Sequence, residues 1–319
     1  MVVKKQIDPE LLVALEKIPD FDIWKDLANT RVRRQAFAEK QNAHLSTMDH
    51  VLFVDHQISE AGDNPDLRVR VYKPAKTDRP LPALLWIHGG GYVLGSIDFE
   101  VAAMERFVHE VDCIVIAVEY RLAPEHPYPA PLDDCYQALA WIFASSVELG
   151  VDATKVAVGG ISAGAGLAAG LALMARDRGA YPIQYQLLMC PMLDDRNHEP
   201  STHLELNGIA WDRDSNHKGW QAYLDGTYQQ ERHHYAVPAR IDDLSNLPPA
   251  YISVGSLDLF RDEDIEYARR LMAAQVGAEL HIFPGGTHAF EYIAPSARLS
   301  SRAHYLNYEI LKHAFGRYQ

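Results

Sequence analysis

A serine lies between closely spaced glycines at Gly160-Ile161-Ser162-Ala163-Gly164, where an apolar run turns into an alanine-rich segment. This G-x-S-x-G pattern is typical of a nucleophile elbow, in which the serine occupies a strained turn between a strand and a helix. Glycines are needed on both sides because a side chain there would collide with the neighbouring backbone. A small-residue turn that packs a helix tightly on a strand has the same composition, so the pattern alone is weak. It predicts Ser162 as a nucleophile that needs partners elsewhere in the chain.

A serine nucleophile needs a histidine as base and an acid that orients the histidine, and one common chain order is serine, acid, histidine. Asp258 and His288 each follow an apolar run that is predicted to be a strand. Asp262 and Asp264 compete for the role of the acid, but they fall where the next helix is predicted to begin, and the helix dipole favours acids there. We therefore predict Asp258 as the acid and His288 as the base.

Three consecutive glycines follow His88, directly after the apolar run 83–87. Their bare N–H groups could stabilise the negative oxygen that forms when a serine attacks a carbonyl carbon. A phosphate-binding loop is the weaker interpretation because no Gly-Lys-Ser or Gly-Lys-Thr follows, and a flexible linker fits poorly beside a buried strand. We predict an oxyanion hole formed by the N–H groups of Gly89, Gly90 and Ala163, the last at a helix N-terminus.

Apolar runs alternate with helical patterns through most of the chain, which is typical of a mostly parallel sheet covered by helices on both faces. Two strand-like segments, 51–58 and 67–72, are joined by turn residues and predict an antiparallel hairpin. Two helical segments within 1–50 precede any strand and look like an addition to the fold. The polar and aromatic stretch at about 191–247 interrupts the alternation, and an insertion this long is usually a lid or a cap over the substrate.

The chain of 319 residues is acidic, with a net charge of −13 at pH 7. Nucleic acids and anionic membranes repel such a protein, so we expect a small neutral or cationic substrate and neither of those partners. Three cysteines, Cys113, Cys135 and Cys190, fit buried free thiols better than disulfides or a metal site. The first residues lack the apolar core of a leader, and no apolar run reaches membrane-spanning length, so we expect a cytoplasmic location.

These motifs together resemble the hormone-sensitive-lipase-like family of α/β-hydrolases, the bacterial family IV esterases. The matching segments are His88–Gly91, Tyr120–Ala130, Gly160–Gly164, Asp258–Glu263 and His288–Phe290. The resemblance implies an α/β-hydrolase catalytic domain over 51–319 and a helical cap made of 1–50 and the insertion at about 191–247. It also implies hydrolysis of short-chain carboxylic esters through an acyl-enzyme, with no metal and no organic cofactor. Ile161 and Ala165 depart from the family pattern, in which an acid and a glycine are common at these positions.

Other functions share the same residues. The machinery permits an amide, carbamate or lactone hydrolase, and a small-molecule receptor could keep the fold without turnover. The complete set of serine, acid and histidine favours an enzyme that acts on a small ester substrate. The sequence does not define the natural ester, and it leaves a homo-oligomer open.

Four aromatic side chains in the predicted cap bear on the size of the substrate. Trp24, Trp211, Trp220 and Tyr223 would enclose a small apolar pocket if the cap segments fold over Ser162. This arrangement predicts a preference for short acyl chains. The alternative is that these aromatics only pack the interior of the cap, which is the commoner fate of a tryptophan.

Overall fold

The computed structural model describes residues 3–17, 23–42, 48–59, 66–204, 211–225 and 235–316. Parts of the predicted cap segments, 1–50 and 191–247, therefore lie outside the described residues. The strands are β1 (Val51–Ile58), β2 (Leu67–Pro74), β3 (Leu81–Ile87), β4 (Ile114–Val118), β5 (Val151–Ile161), β6 (Tyr185–Met189), β7 (Ala250–Gly255) and β8 (Ala278–Phe283). They form one sheet in the order β1-β2-β4-β3-β5-β6-β7-β8.

The sheet is mostly parallel. β2 pairs antiparallel with β1 and with β4, whereas every other neighbouring pair is parallel. The predicted hairpin and the predicted mostly parallel sheet are both confirmed. Because the strands from β3 onward run in the same direction, the residues that follow β3, β5, β7 and β8 leave the sheet at one edge.

Helices connect the strands and cover both faces of the sheet. They are α1 (Pro9–Leu15), α2 (Leu27–Asn42), α3 (Val101–Val111), α4 (Ala130–Ala144), α5 (Ser146–Leu149), α6 (Ala163–Arg178), α7 (Arg213–Leu224), α8 (Arg261–Ala273), α9 (Phe290–Ile293) and α10 (Arg298–Ala314). The sequence pattern from about Leu132 to Leu149 predicts a single helix, and this prediction is wrong, because the structure has α4 and α5 there. The helix is broken because the backbone at Ser145 departs from helical angles, with φ −103° and ψ 12°.

The side chains of β3 alternate between two apolar layers, as the two-residue period of a strand requires. Leu85 and Ile87 pack in the layer that contains residues of α4 and α6, whereas Leu84 and Trp86 pack in the layer that contains residues of α3 and α10. These four side chains are fully buried. A strand that is covered on both faces must be apolar throughout, and this explains the unbroken apolar run in the sequence.

The turn from β5 into α6 lies directly against the end of β3. A Cβ at Gly160 would lie 2.4 Å from the carbonyl oxygen of Ile87, and one at Gly164 would lie 2.1 Å from the same oxygen. Both distances are far below van der Waals contact, so only glycine fits at either position. The start of α6 is thereby held against the residues that follow β3.

Substitution of Gly164 tests this close approach. The Cβ of Gly164→Ala meets backbone, which cannot move as a side chain could, so we expect a loss of at least about 3 kcal/mol in the free energy of unfolding. Urea denaturation measures the effect. In the control Gly277→Ala the nearest atom to the new Cβ is 3.6 Å away, on Pro249, and we expect a change within about 0.5 kcal/mol. Equal stability of the two variants would contradict the inferred contact.

Candidate active site

Ser162 occupies the turn between β5 and α6 in a backbone conformation that is rare for a side-chain-bearing residue, with φ 58° and ψ −122°. Hydrogen bonds hold the turn in place. The N–H of Ser162 donates to the carbonyl of Met189 at 2.8 Å, and its own carbonyl accepts from the N–H groups of Gly166 and Met192. This strained turn has the features of the predicted nucleophile elbow.

The predicted base and acid lie in one hydrogen-bonded row with Ser162. The Oγ of Ser162 is 2.9 Å from Nε2 of His288, and Nδ1 of His288 is 2.8 Å from Oδ2 of Asp258. The other oxygen of Asp258 accepts the N–H of Phe260 at 3.0 Å. Asp258 is fully buried, so water does not compete for its carboxylate. With Nδ1 holding the proton, Nε2 is free to accept the proton of the serine hydroxyl.

The two competing acids lie elsewhere. Asp262 accepts the N–H of Ser201 at 2.8 Å and pairs with Arg261. Asp264 is fully buried, and neither of its oxygens has a hydrogen-bond partner among the described residues. Burial raises the pKa of Asp264 well above its usual value. Asp258 is the acid that contacts His288.

Gly89 and Ala163, two of the three predicted oxyanion donors, lie beside the serine. A Cβ at Gly89 would lie 3.4 Å from the Cβ of Ser162, so the loop after β3 passes directly beside the nucleophile. Ala163 is the first residue of α6. In the described part of the chain, no protein group accepts a hydrogen bond from the N–H of Gly89, Gly90 or Ala163. These N–H groups are therefore available to a negatively charged oxygen.

Tyr120 supports the loop after β3, and this role was not predicted from the sequence. Its ring stacks on the imidazole of His88, with centroids 4.2 Å apart and planes at 16°, and its hydroxyl donates to the carbonyl of His88 at 3.0 Å. Burial lowers the pKa of His88, so its ring is neutral. Tyr120 belongs to the segment Tyr120–Ala130 that carries the family resemblance, which is the signal that singles it out in the sequence.

Two further buried groups lie beside the base and the acid. The Sγ of Cys190 lies within 4.8 Å of a carboxylate oxygen of Asp258 and a ring nitrogen of His288, and burial raises the pKa of its thiol. Glu291 is buried, and its Oε2 has no partner among the described residues. Burial raises the pKa of Glu291 to about 8. Burial therefore disfavours the charged forms of both groups beside Asp258.

The four aromatic residues of the predicted cap have different environments. Trp220 and Tyr223 are almost fully buried, and both pack on Tyr92, whose ring stacks on that of Tyr223 at 3.9 Å. Trp24 and Trp211 remain partly exposed, with ring centroids 6.4 Å apart. Trp220 and Tyr223 therefore pack the interior of the protein. Of these four side chains, only Trp24 and Trp211 are available to line a pocket.

The segments before β1 and after β6 contact each other and the loop that follows β3. The indole nitrogen of Trp24 donates to the hydroxyl of Ser215 at 3.3 Å. The guanidinium of Arg31, on α2, donates to the carbonyls of Val93 at 2.8 Å and Ala123 at 2.6 Å. These contacts join the two segments to each other and join α2 to the loop after β3.

Comparison with known proteins gives one family. Residues 84–292 match the family described as alpha/beta hydrolase fold. Carboxylesterase NlhH of Mycobacterium tuberculosis is 37% identical over 306 residues, which cover 93% of each chain. Esterase LipI of the same species is 34% identical over 281 residues, which cover 87% of this chain and 86% of that protein. The solved structure of a bacterial heroin esterase superposes with a TM-score of 0.92 at 39% identity and covers 98% of both chains.

The mostly parallel sheet and the row of serine, histidine and aspartate side chains define an α/β-hydrolase. Within that class, the chain belongs to the hormone-sensitive-lipase-like family, as the sequence motifs predicted. No helix in the described ranges combines the length and the apolar character needed to cross a membrane.

The buried carboxyl of Glu291 predicts a pH dependence of stability. Its pKa is about 8 in the folded protein against an ordinary value of 4.5, so its contribution is fully present below pH 4.5 and is lost as the pH rises through 8. Glu291→Gln has no proton to lose, and we expect it to remove on the order of 2–4 kcal/mol of the fall in stability between pH 5 and pH 8.5. Urea denaturation at both pH values measures this.

The control for that experiment is Glu148→Gln, which removes a carboxylate from an exposed position. We expect Glu148→Gln to follow the wild-type pH dependence. If Glu291→Gln lost as much stability as the wild-type protein between the two pH values, the buried carboxyl would not be the source of the dependence.

Proposed function

We propose that this α/β-hydrolase is a carboxylesterase in which Ser162 is the nucleophile, His288 the general base and Asp258 the acid that orients the base. The observation that carries the proposal is the hydrogen-bonded row from Ser162 through His288 to Asp258, at 2.9 and 2.8 Å. Relatives over nearly the whole chain are named carboxylesterase and esterase. These names favour an ester over the amide, carbamate and lactone alternatives.

The first half of the reaction forms an acyl-enzyme. The Oγ of Ser162 attacks the ester carbonyl carbon while Nε2 of His288 takes the hydroxyl proton. The carbonyl oxygen becomes negative and accepts hydrogen bonds from the N–H groups of Gly89, Gly90 and Ala163. The tetrahedral intermediate then collapses, the alcohol leaves with the proton from Nε2, and the acyl group stays on Oγ.

The second half releases the acid. Water attacks the acyl carbon and gives a proton to Nε2 of His288, and Oγ of Ser162 then leaves and takes that proton back. Ile161 is buried and has no polar atom in its side chain, so it cannot bind this water through a hydrogen bond. We therefore assign activation of the water to His288.

A cap over Ser162 would favour substrates with short acyl chains. We assign the cap to residues 1–50 and the insertion at about 191–247, with the catalytic domain over 51–319. Contacts of Arg31 with Val93 and of Trp24 with Ser215 support this division. A cap that closes over Ser162 limits the length of the acyl pocket, so added methylene groups stop contributing once they reach its wall. The finer expectations, a cytoplasmic location and a homo-oligomer, stay predictions.

Substitution of the acid tests the assignment of the triad. Asp258→Asn leaves His288 with the wrong tautomer, so we expect kcat on p-nitrophenyl acetate to fall by up to about 10⁴-fold. Asp262→Asn removes the competing acid, which contacts Ser201 and Arg261 instead, and it should retain most of the wild-type rate. Ser162→Ala removes the nucleophile and provides the background rate. If Asp262→Asn were the slow variant, the acid would be misassigned.

A series of p-nitrophenyl esters from acetate to palmitate tests the pocket. Each methylene that finds apolar surface gains about 0.8 kcal/mol. We expect kcat/KM to peak at acyl chains of about two to six carbons and then to decline. A preference for the longest, emulsified esters would show that the site is open to lipid and that a lipase is the better description.

A further inference from the structure

The far edge of the Trp211 indole contacts two glycine residues. One of them belongs to the loop that holds the proposed oxyanion donors. A Cβ at Gly91 would lie 2.1 Å from Cη2 of this indole, and one at Gly219 of α7 would lie 3.0 Å from its Cζ2. Gly91 directly follows Gly90 and has a left-handed φ of 60°. The indole of Trp211 is thus in direct contact with the backbone next to the proposed oxyanion donors.

The orientation of this indole is set by a chain of hydrogen bonds. Its Nε1 donates to Oδ1 of Asn216 at 3.2 Å, and Nδ2 of Asn216 donates to Oδ1 of Asn197 at 3.2 Å. Asn216 is fully buried, so water does not compete for these bonds. The ring of Trp24 lies beside that of Trp211, with centroids 6.4 Å apart. The ring therefore has little freedom to turn away from Gly91.

We propose that Trp211 is a positioning residue for ester hydrolysis: it holds the turn at Gly91 and so keeps the N–H groups of Gly89 and Gly90 aimed at the developing oxyanion. This inference rests on the proposed function. Three consecutive glycines have little stiffness of their own, so the position of the turn depends on what packs against it. A misplacement of about 1 Å in a catalytic group costs about a hundredfold in rate.

The experiment measures kcat and KM separately for p-nitrophenyl acetate. Trp211→Ala removes the ring from Gly91, and we expect kcat to fall by about ten- to a hundredfold while KM stays within about threefold, because oxyanion contacts strengthen in the transition state. Trp211→Phe keeps an aromatic ring, but the ring is shorter than the indole, whose far edge meets Gly91, and it loses the hydrogen bond to Asn216, so we expect a kcat between those of Trp211→Ala and the wild type. Trp211→Leu replaces the alanine variant if that one does not fold.

The matched control is Trp141→Ala. Trp141 lies on α4, is also partly buried and packs on His56 with ring centroids 5.4 Å apart. Its removal should lower the melting temperature without changing kcat. An unchanged kcat in Trp211→Ala, or a change confined to KM, would overturn the inference. A wild-type protein as slow as Ser162→Ala would instead overturn the proposed function.

A double-mutant cycle checks that Trp211 acts through Gly91. Gly91→Ala places a methyl group in the space of the indole, so we expect kcat to fall by about tenfold or more in the wild-type background. In the Trp211→Ala background that space is empty and only the left-handed φ of 60° still disfavours alanine, so the same substitution should lower kcat by a smaller factor than in the wild-type background. Equal losses in the two backgrounds would mean that the contact does not control the turn.

Discussion

The close approach of the elbow to the end of β3 is the constraint on which the site depends. Gly160 and Gly164 both face the carbonyl oxygen of Ile87 at distances that exclude any side chain. The start of α6 can therefore lie beside the loop after β3, which brings Ala163, a proposed oxyanion donor, close to the proposed donors of that loop. With a side chain at either glycine, the nucleophile and two of its three donors would be forced apart.

The order of the strands supplies the remaining groups. Asp258 follows β7 and His288 follows β8, and these two strands are parallel neighbours in the sheet. Their ends therefore meet at one edge, where the loop after β5 also leaves the sheet. Burial then influences the charge at this edge, since it raises the pKa values of Glu291 and Cys190 beside Asp258. A carboxyl oxygen of Asp258 faces the imidazole of His288 at 2.8 Å, and burial disfavours the charged forms of the neighbouring groups.

The parts of the site that follow from local patterns and from residue order along the chain were predictable from the sequence. Strand ends, glycine turns and chain order singled out Ser162, Asp258 and His288 without any knowledge of tertiary contacts. The contact of Trp211 with Gly91 joins residues far apart in the chain, so no local pattern reports it. Trp211 and Trp220 are the same residue type in one insertion, and their different burial depends on tertiary packing, since Trp211 precedes α7 whereas Trp220 lies within it and packs on Tyr92. The break at Ser145 was missed because neither glycine nor proline marks it.

The site therefore consists of two parts that are held in different ways. The hydrogen-bonded row ends in the fully buried Asp258, so only changes in the core can move it. Two side chains outside the catalytic core help to hold the loop after β3. Arg31 donates a hydrogen bond to the carbonyl of Val93, and the indole of Trp211 contacts the turn at Gly91. Substitutions in the cap can therefore alter the oxyanion donors while the nucleophile and its base stay in place. Because the proposed cap would also border the substrate, our proposal links the shape of the pocket physically to transition-state stabilisation.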